Sequence, residues 1–292
     1  MPTLICYITV VIIWSTTPLA IKFSTGSFSF IAAVTSRMVI SAFFAYIICR
    51  LSGIKLSSDK TAIKAYFSGA IGTFGGLLCV YWGAQYVPTG LISIMFGLTP
   101  IISAILALIV LKESFVTPVK LLAIFIAVSG LATVFYTDSF SGSVAIGAAV
   151  VLAAVMLFNL STVFVKLNGS QLHPLEQTTG TLIVTSILYV AVWSITDGVI
   201  PEEMDNINLL AIAYLAICGS VIGFIAYYNV LKKMNVVSVG MITLMTPIFA
   251  MLLGVYLNNE HVLLHQWVGL AIVILGLSLF VLSRGAVEKT VD

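Results

Sequence analysis

Long apolar runs alternate with short polar breaks along the whole chain. Reading the runs against the breaks predicts ten helical segments, at 4–23, 29–49, 65–86, 90–111, 118–136, 143–165, 174–195, 209–230, 236–257 and 265–283. Each has about the length that a helix needs to cross a hydrocarbon core roughly 30 Å thick. The runs do not show the period-two alternation of membrane β-strands. The longest polar breaks, "RLSGIKLSSDK" and "TDGVIPEEMDNIN", leave no room for a soluble domain.

Composition strengthens this pattern. Hydrophobic residues make up 60% of the chain and charged residues 8%, whereas soluble domains carry about a quarter charged residues. The first run lacks a basic leader and is too long for the apolar stretch of a signal peptide, so it is expected to stay as the first segment. Cys6, Cys49, Cys79 and Cys218 stand singly in apolar segments, as small packing residues do. Basic residues set the expected orientation, because cytoplasmic loops are enriched in them. With the amino terminus inside, eleven of the 13 Lys and Arg residues fall on the inner side: Arg50, Lys55, Lys60, Lys64, Lys112, Lys120, Lys166, Lys232, Lys233, Arg284 and Lys289. Both termini are therefore expected in the cytoplasm, with the chain a multi-pass protein of the inner (plasma) membrane.

The segments repeat. A constant offset of 147 residues carries Gly72 to Gly219, Gly76 to Gly223, Tyr81 to Tyr228, Thr99 to Thr246, Pro100 to Pro247 and Glu113 to Glu260. An offset of 144 carries Lys22 to Lys166, and Gly130 pairs with Gly276. The expected organisation is a five-helix unit at 1–140 followed by a second at 141–292. An odd number of crossings turns the second unit over, giving inverted repeats that can exchange conformations and so open a central site to each side in turn.

The ten-segment layout, "WSTTPLAIKF" in the first segment, an arginine early in the second, and the paired "LTP…LKE" and "MTP…NNE" helices resemble the drug/metabolite transporter superfamily, in particular its EamA group. The resemblance spans essentially the whole chain. It implies two five-helix halves around a cavity lined by the first, third, fourth, sixth, eighth and ninth segments, and export of small metabolites or amino acids.

Several residues carry candidate chemistry. Trp14, Ser15, Thr17, Tyr81, Trp82, Gln85, Asn159, Thr162 and Tyr228 offer aromatic faces, hydroxyls and amides for a substrate. Lys22 and Lys166 either attract a carboxylate or phosphate or snorkel to the nearest interface. Arg37, several residues into the second segment, needs a polar partner there and is either an anchor or a substrate contact. The aligned position near Thr181 does not repeat it. Pro100 and Pro247 free the carbonyls of Phe96 and Thr243, with Thr99 and Thr246 placed to help; they read as bending points or as packing kinks. The Gly72/Gly76 and Gly219/Gly223 spacings suit close helix approach.

What is missing also shapes the expectation. No acidic residue falls mid-segment, and Glu113, Glu176 and Glu260 lie near segment ends. A cationic drug has no fixed counter-charge, and coupling through Glu176 or His173 stays open. His261 and His265 are read as loop residues, so no metal and no cofactor is expected. There is no HExxH, GxSxG or mid-membrane aspartate pair, so no enzyme is expected. The expected partners are a small-molecule substrate and membrane lipid, not nucleic acid, with the chain a monomer or homodimer. The expected function is export of amino acids or related zwitterionic or anionic compounds by alternating access. The alternatives are a receptor or scaffold that does not transport, or a drug or cation exporter.

Overall fold

The computed structural model describes residues 2–111, 117–134, 142–169, 171–196, 198–199, 204–240, 242–259 and 261–288. Glu113, Glu203, Glu260, Lys112 and Lys289 lie outside them. Among the described residues the regular structure is entirely helical. In chain order the helices are α1 (Thr3–Ser24), α2 (Phe30–Leu51), α3 (Lys60–Gly83), α4 (Thr89–Phe96), α5 (Thr99–Leu111), α6 (Pro118–Val134), α7 (Gly142–Asn168), α8 (Pro174–Thr196), α9 (Asn206–Lys233), α10 (Val236–Gly240), α11 (Ile242–Asn258) and α12 (Leu264–Glu288). Seven stretches are long and apolar enough to cross a membrane, counting α4 and α5 together as Thr89–Val110. Pro118–Val134, Phe249–Asn258 and Leu264–Phe280 are shorter apolar stretches. Exposed Leu, Ile and Phe side chains line the outside of the bundle, as lipid contact requires.

Helix starts follow from local chemistry. The Ser29 hydroxyl accepts from the Ala32 N–H at 3.1 Å and the Asp59 carboxylate from Ala62 at 2.8 Å, each satisfying an orphan donor of the first turn. Gly53, with φ of 69°, closes α2 by turning the chain back onto its last carbonyls, a conformation that glycine reaches without strain.

Interruptions also follow from sequence. Pro100 was expected to weaken a continuous helix, but the helix ends at Phe96 and restarts at Thr99, because Gly97 and Leu98 precede a residue with no N–H to offer. Pro247 instead lies inside α11, where the Thr246 hydroxyl donates to the freed Thr243 carbonyl at 3.1 Å. Gly72, Gly76 and Gly219 lie within wide π-helical turns of α3 and α9, Ile71–Gly76 and Leu215–Ile222, and Gly223 directly follows the second. Such turns leave backbone groups outside the regular ladder and concentrate at functional positions.

Three sets of helices related by the repeat, α2 with α8, α4 with α11 and α6 with α12, pair with each other and run antiparallel. Thr35 of α2 donates to Tyr189 of α8, while Thr179 of α8 donates to Ala45 of α2. Gly90 and Gly97 meet Met251 and Pro247 respectively. Gly130 meets Gly269 and Val273 while Gly276 meets Ala127, so α6 and α12 cross through glycines with their backbones nearly touching. In each pair, rising numbers on one helix meet falling numbers on the other. The remaining contacts also exchange: α1 packs on α9 as α7 packs on α3, and α2 on α9 as α8 on α3.

Candidate functional site

A cavity of about 120 Å³ lies between the two sets of helices. Its walls come from α1, α3, α4, α5, α7, α9, α10 and α11, with Arg37 added from α2. Trp14, Thr17, Arg37, Asn159, Thr162 and Tyr228 are all on the wall. The aromatic surface is continuous on one side. Trp14 lies 5.1 Å from Tyr227, Tyr227 5.4 Å from Tyr228, and Phe224 stacks on Tyr228 at 6.1 Å. Phe96 and Phe158 pair edge to face at 5.6 Å on α4 and α7. Such rings supply large apolar contact with few rotatable bonds.

Most polar wall groups are already engaged. Asn159 accepts from the Ser103 hydroxyl at 2.5 Å and donates to the Val155 carbonyl at 2.7 Å. Thr162 meets the Tyr227 hydroxyl at 2.5 Å, and Ser161 donates to the Ser68 carbonyl at 2.8 Å. Thr17 donates to the Ile13 carbonyl at 2.9 Å. Among the buried wall groups the Ser93 hydroxyl stands out: Ser93 is 2% exposed, yet its oxygen finds no partner among the described residues.

Arg37, also 2% exposed, donates through Nε to the Ser220 hydroxyl at 3.0 Å and through Nη1 to the Tyr81 hydroxyl at 3.5 Å. Ser220 sits in the π-helical turn of α9 and also donates to the Leu215 carbonyl at 3.0 Å. Arg37 is the single charged group among the described wall residues.

Other expected residues lie elsewhere. Ser15 is buried and spends its hydroxyl on the Val11 carbonyl at 2.7 Å. Tyr81 is fully buried behind Arg37 rather than on the wall. Trp82 packs at a tilt against Tyr86, with ring centroids 4.8 Å apart, near the end of α3, and Gln85 is exposed beyond it. Pro100 and Pro247 stand next to wall residues Thr99 and Thr246 without reaching the wall themselves. Lys22, in the last turn of α1, is half-buried and off the wall. Lys166 donates to the Leu231 and Met234 carbonyls at 2.7 and 2.9 Å, beside a pocket of about 10 Å³ that it shares with Lys232 and Gln177. Glu176 accepts from the Ser57 N–H at 3.0 Å and the Tyr66 hydroxyl at 3.1 Å, tying a loop to α8 and α3. His173 accepts from the Leu175 N–H at 3.2 Å. Tyr227 joins the site without having been singled out, although Phe224, Tyr227 and Tyr228 have the i, i+3, i+4 spacing of one helix face.

Comparison with known proteins agrees with this architecture. The EamA-like transporter family model matches residues 1–136 and again 145–282. An uncharacterized transporter of Archaeoglobus fulgidus is 27% identical over 273 residues, covering 93% of this chain and 95% of that protein. The uncharacterized transporter YyaM of Bacillus subtilis is 26% identical over 264 residues, covering 87% and 85%. A crystal structure of another protein superposes with a TM-score of 0.73 at 15% identity, over 97% of this chain and 98% of that one, a likeness of fold alone. Helical architecture, a cavity walled from both halves and a family match that recurs along the sequence converge: the chain belongs to the EamA-like transporter family.

Proposed function

We propose that the protein carries small metabolites across the inner (plasma) membrane by alternating access, with ten crossings, both termini in the cytoplasm and two inverted five-helix units at 1–140 and 141–292. The observation that carries this reading is the antiparallel pairing of repeat-related helices around one cavity. A twofold relation of this kind lets each half adopt the other's conformation, so a site between them opens first to one face and then to the other. The six aromatic side chains on the wall suit a small organic molecule rather than a bare ion.

The substrate range is amino acids and related zwitterionic or anionic compounds, and the direction is export, as the sequence resemblance implies. A cation exporter finds no support in a described wall without carboxylates. Reconstitution tests the carrier reading. Proteoliposomes loaded with a mixed metabolite extract should lose selected compounds faster than protein-free liposomes and should show counterflow. Specific ligand binding with no flux of any compound would favour a receptor instead.

A further inference from the structure

Charge on the cavity wall narrows the substrate class. Arginine has five N–H donors in a rigid fork. Ser220 and Tyr81 engage two of them, and the Tyr81 contact is long at 3.5 Å. Nη2 lies beside Gly219, where an added Cβ would come within 3.3 Å of it. Arg37 and Gly219 both line the cavity, so a methyl at this glycine would press on the unengaged edge of the fork. Both described partners are neutral hydroxyls, and a buried guanidinium without a counter-charge carries an uncompensated desolvation cost. An arriving carboxylate offsets that cost and takes paired, charge-assisted hydrogen bonds.

An ammonium group meets the opposite situation. The described wall contains no Asp or Glu. The Asn159 oxygen already accepts from Ser103, and Thr17, Ser161 and Thr162 donate to carbonyls within the bundle, so a cation meets only neutral hydroxyl and amide lone pairs there. A cation entering this cavity exchanges water for a like charge and for neutral acceptors alone, with no carboxylate among the described wall residues to offset its desolvation.

We infer that, within the proposed substrate range, the cavity favours the anionic end: small monoanionic organic acids with an aromatic or otherwise apolar body, held by Arg37, bind in preference to zwitterionic amino acids and to cations. This rests on the carrier reading and narrows it. The aromatic face of Trp14, Tyr227 and Phe224 receives the body of the acid. The unpartnered Ser93 hydroxyl offers a further hydrogen bond to a polar substituent. Lys166, spent on the Leu231 and Met234 carbonyls, is not the anion site.

The test uses the purified full-length protein in detergent. It is titrated with benzoate, phenylalanine, benzylamine and benzyl alcohol, read by quenching of tryptophan fluorescence and by thermal stabilisation. Benzoate should bind with a Kd at least about tenfold below each of the others. Arg37→Met should erase that preference, so that benzoate binds no better than benzyl alcohol. Gly219→Ala keeps the arginine but crowds Nη2. It should weaken benzoate by roughly fivefold while the free protein melts as the parent does; if Arg37→Met fails to fold, this variant decides. Phenylalanine or benzylamine binding as tightly as benzoate, no binding by any of the four, or an unchanged preference in the folded variants would overturn the inference. Counterflow of benzenesulfonate, which stays ionised and does not leak as a neutral acid, separates the two levels. Anion-selective binding without flux removes the carrier reading and leaves the site, whereas phenylalanine flux without benzoate binding does the reverse.

Discussion

The corners where α3 meets α7 and α8, and where α9 meets α1 and α2, are built from the same sequence pattern but pack differently. At Gly76 an added Cβ would fall 2.7 Å from the Phe158 ring, and at Gly69 it would overlap Thr181 and the Tyr228 hydroxyl. At Gly219 the nearest atom is Arg37 Nη2 at 3.3 Å, and at Gly223 it is the Cys218 carbonyl of the same helix at 3.1 Å, with the Trp14 indole of the facing helix at 3.5 Å. The offset of 147 carries Gly69 to Ala216, so the second corner tolerates a methyl where the first does not. Thr181 faces α3 and Arg37 faces α9, which puts the charge in the looser corner. On the anion-site proposal, Arg37, which has no duplicate, supplies the charge that recognises the substrate, while the duplicated glycines shape the corners around it. On the alternating-access reading the tight and loose corners exchange as the carrier turns over.

The sharpest way to break the comparison is to add one methyl to each corner. Gly69→Ala should cost ~1–3 kcal/mol by overpacking, whereas Gly219→Ala should change stability by less than ~1 kcal/mol, both followed by unfolding in SDS. Equal losses would mean that the corners do not differ. On the aromatic wall, Trp14→Ala and Tyr228→Ala should each cut flux per correctly inserted protein to about a tenth, the effect of ~1.4 kcal/mol, while expression and melting hold. Unchanged flux in both would remove the aromatic face from the site. The smallest effect concerns the proline helices. Thr246→Val removes the hydroxyl that serves the freed Thr243 carbonyl and should cost ~1 kcal/mol. Pro100→Ala, which permits a continuous helix through 97–98, should slow flux a few-fold without reordering substrates. Parental rates in Pro100→Ala would remove any bending role.

Segment positions were legible because a chain in lipid has to satisfy its backbone internally, which makes apolar runs into helices. The second segment, expected at 29–49, is Phe30–Leu51. The π-helical turns were not legible, since Gly72/Gly76 and Gly219/Gly223 read equally well as sites of close approach; the structure uses them for both. Which face of a helix meets the cavity was only partly legible. Thr17 lies on the wall and Ser15 does not, although both are hydroxyls in a uniformly apolar helix with little amphipathic signal to orient it. Tyr81 and Tyr228 are repeat mates, yet only Tyr228 reaches the wall, because Arg37 stands in front of the first and the small Thr181 beside the second. The sequence could place Arg37 inside the membrane. Its neighbours Ser220 and Tyr81, far apart from it in sequence, come together with it only in the packed bundle.

The inverted arrangement of the two halves is tested most directly by the compartments their loops face. Single cysteines at Lys60 and at Glu203, in a chain whose four native cysteines are replaced by alanine, can be labelled in sealed right-side-out vesicles with a membrane-impermeant maleimide. The account predicts that position 203 labels at once and that position 60 labels only after the membrane is opened. Labelling of both from the same side would contradict it.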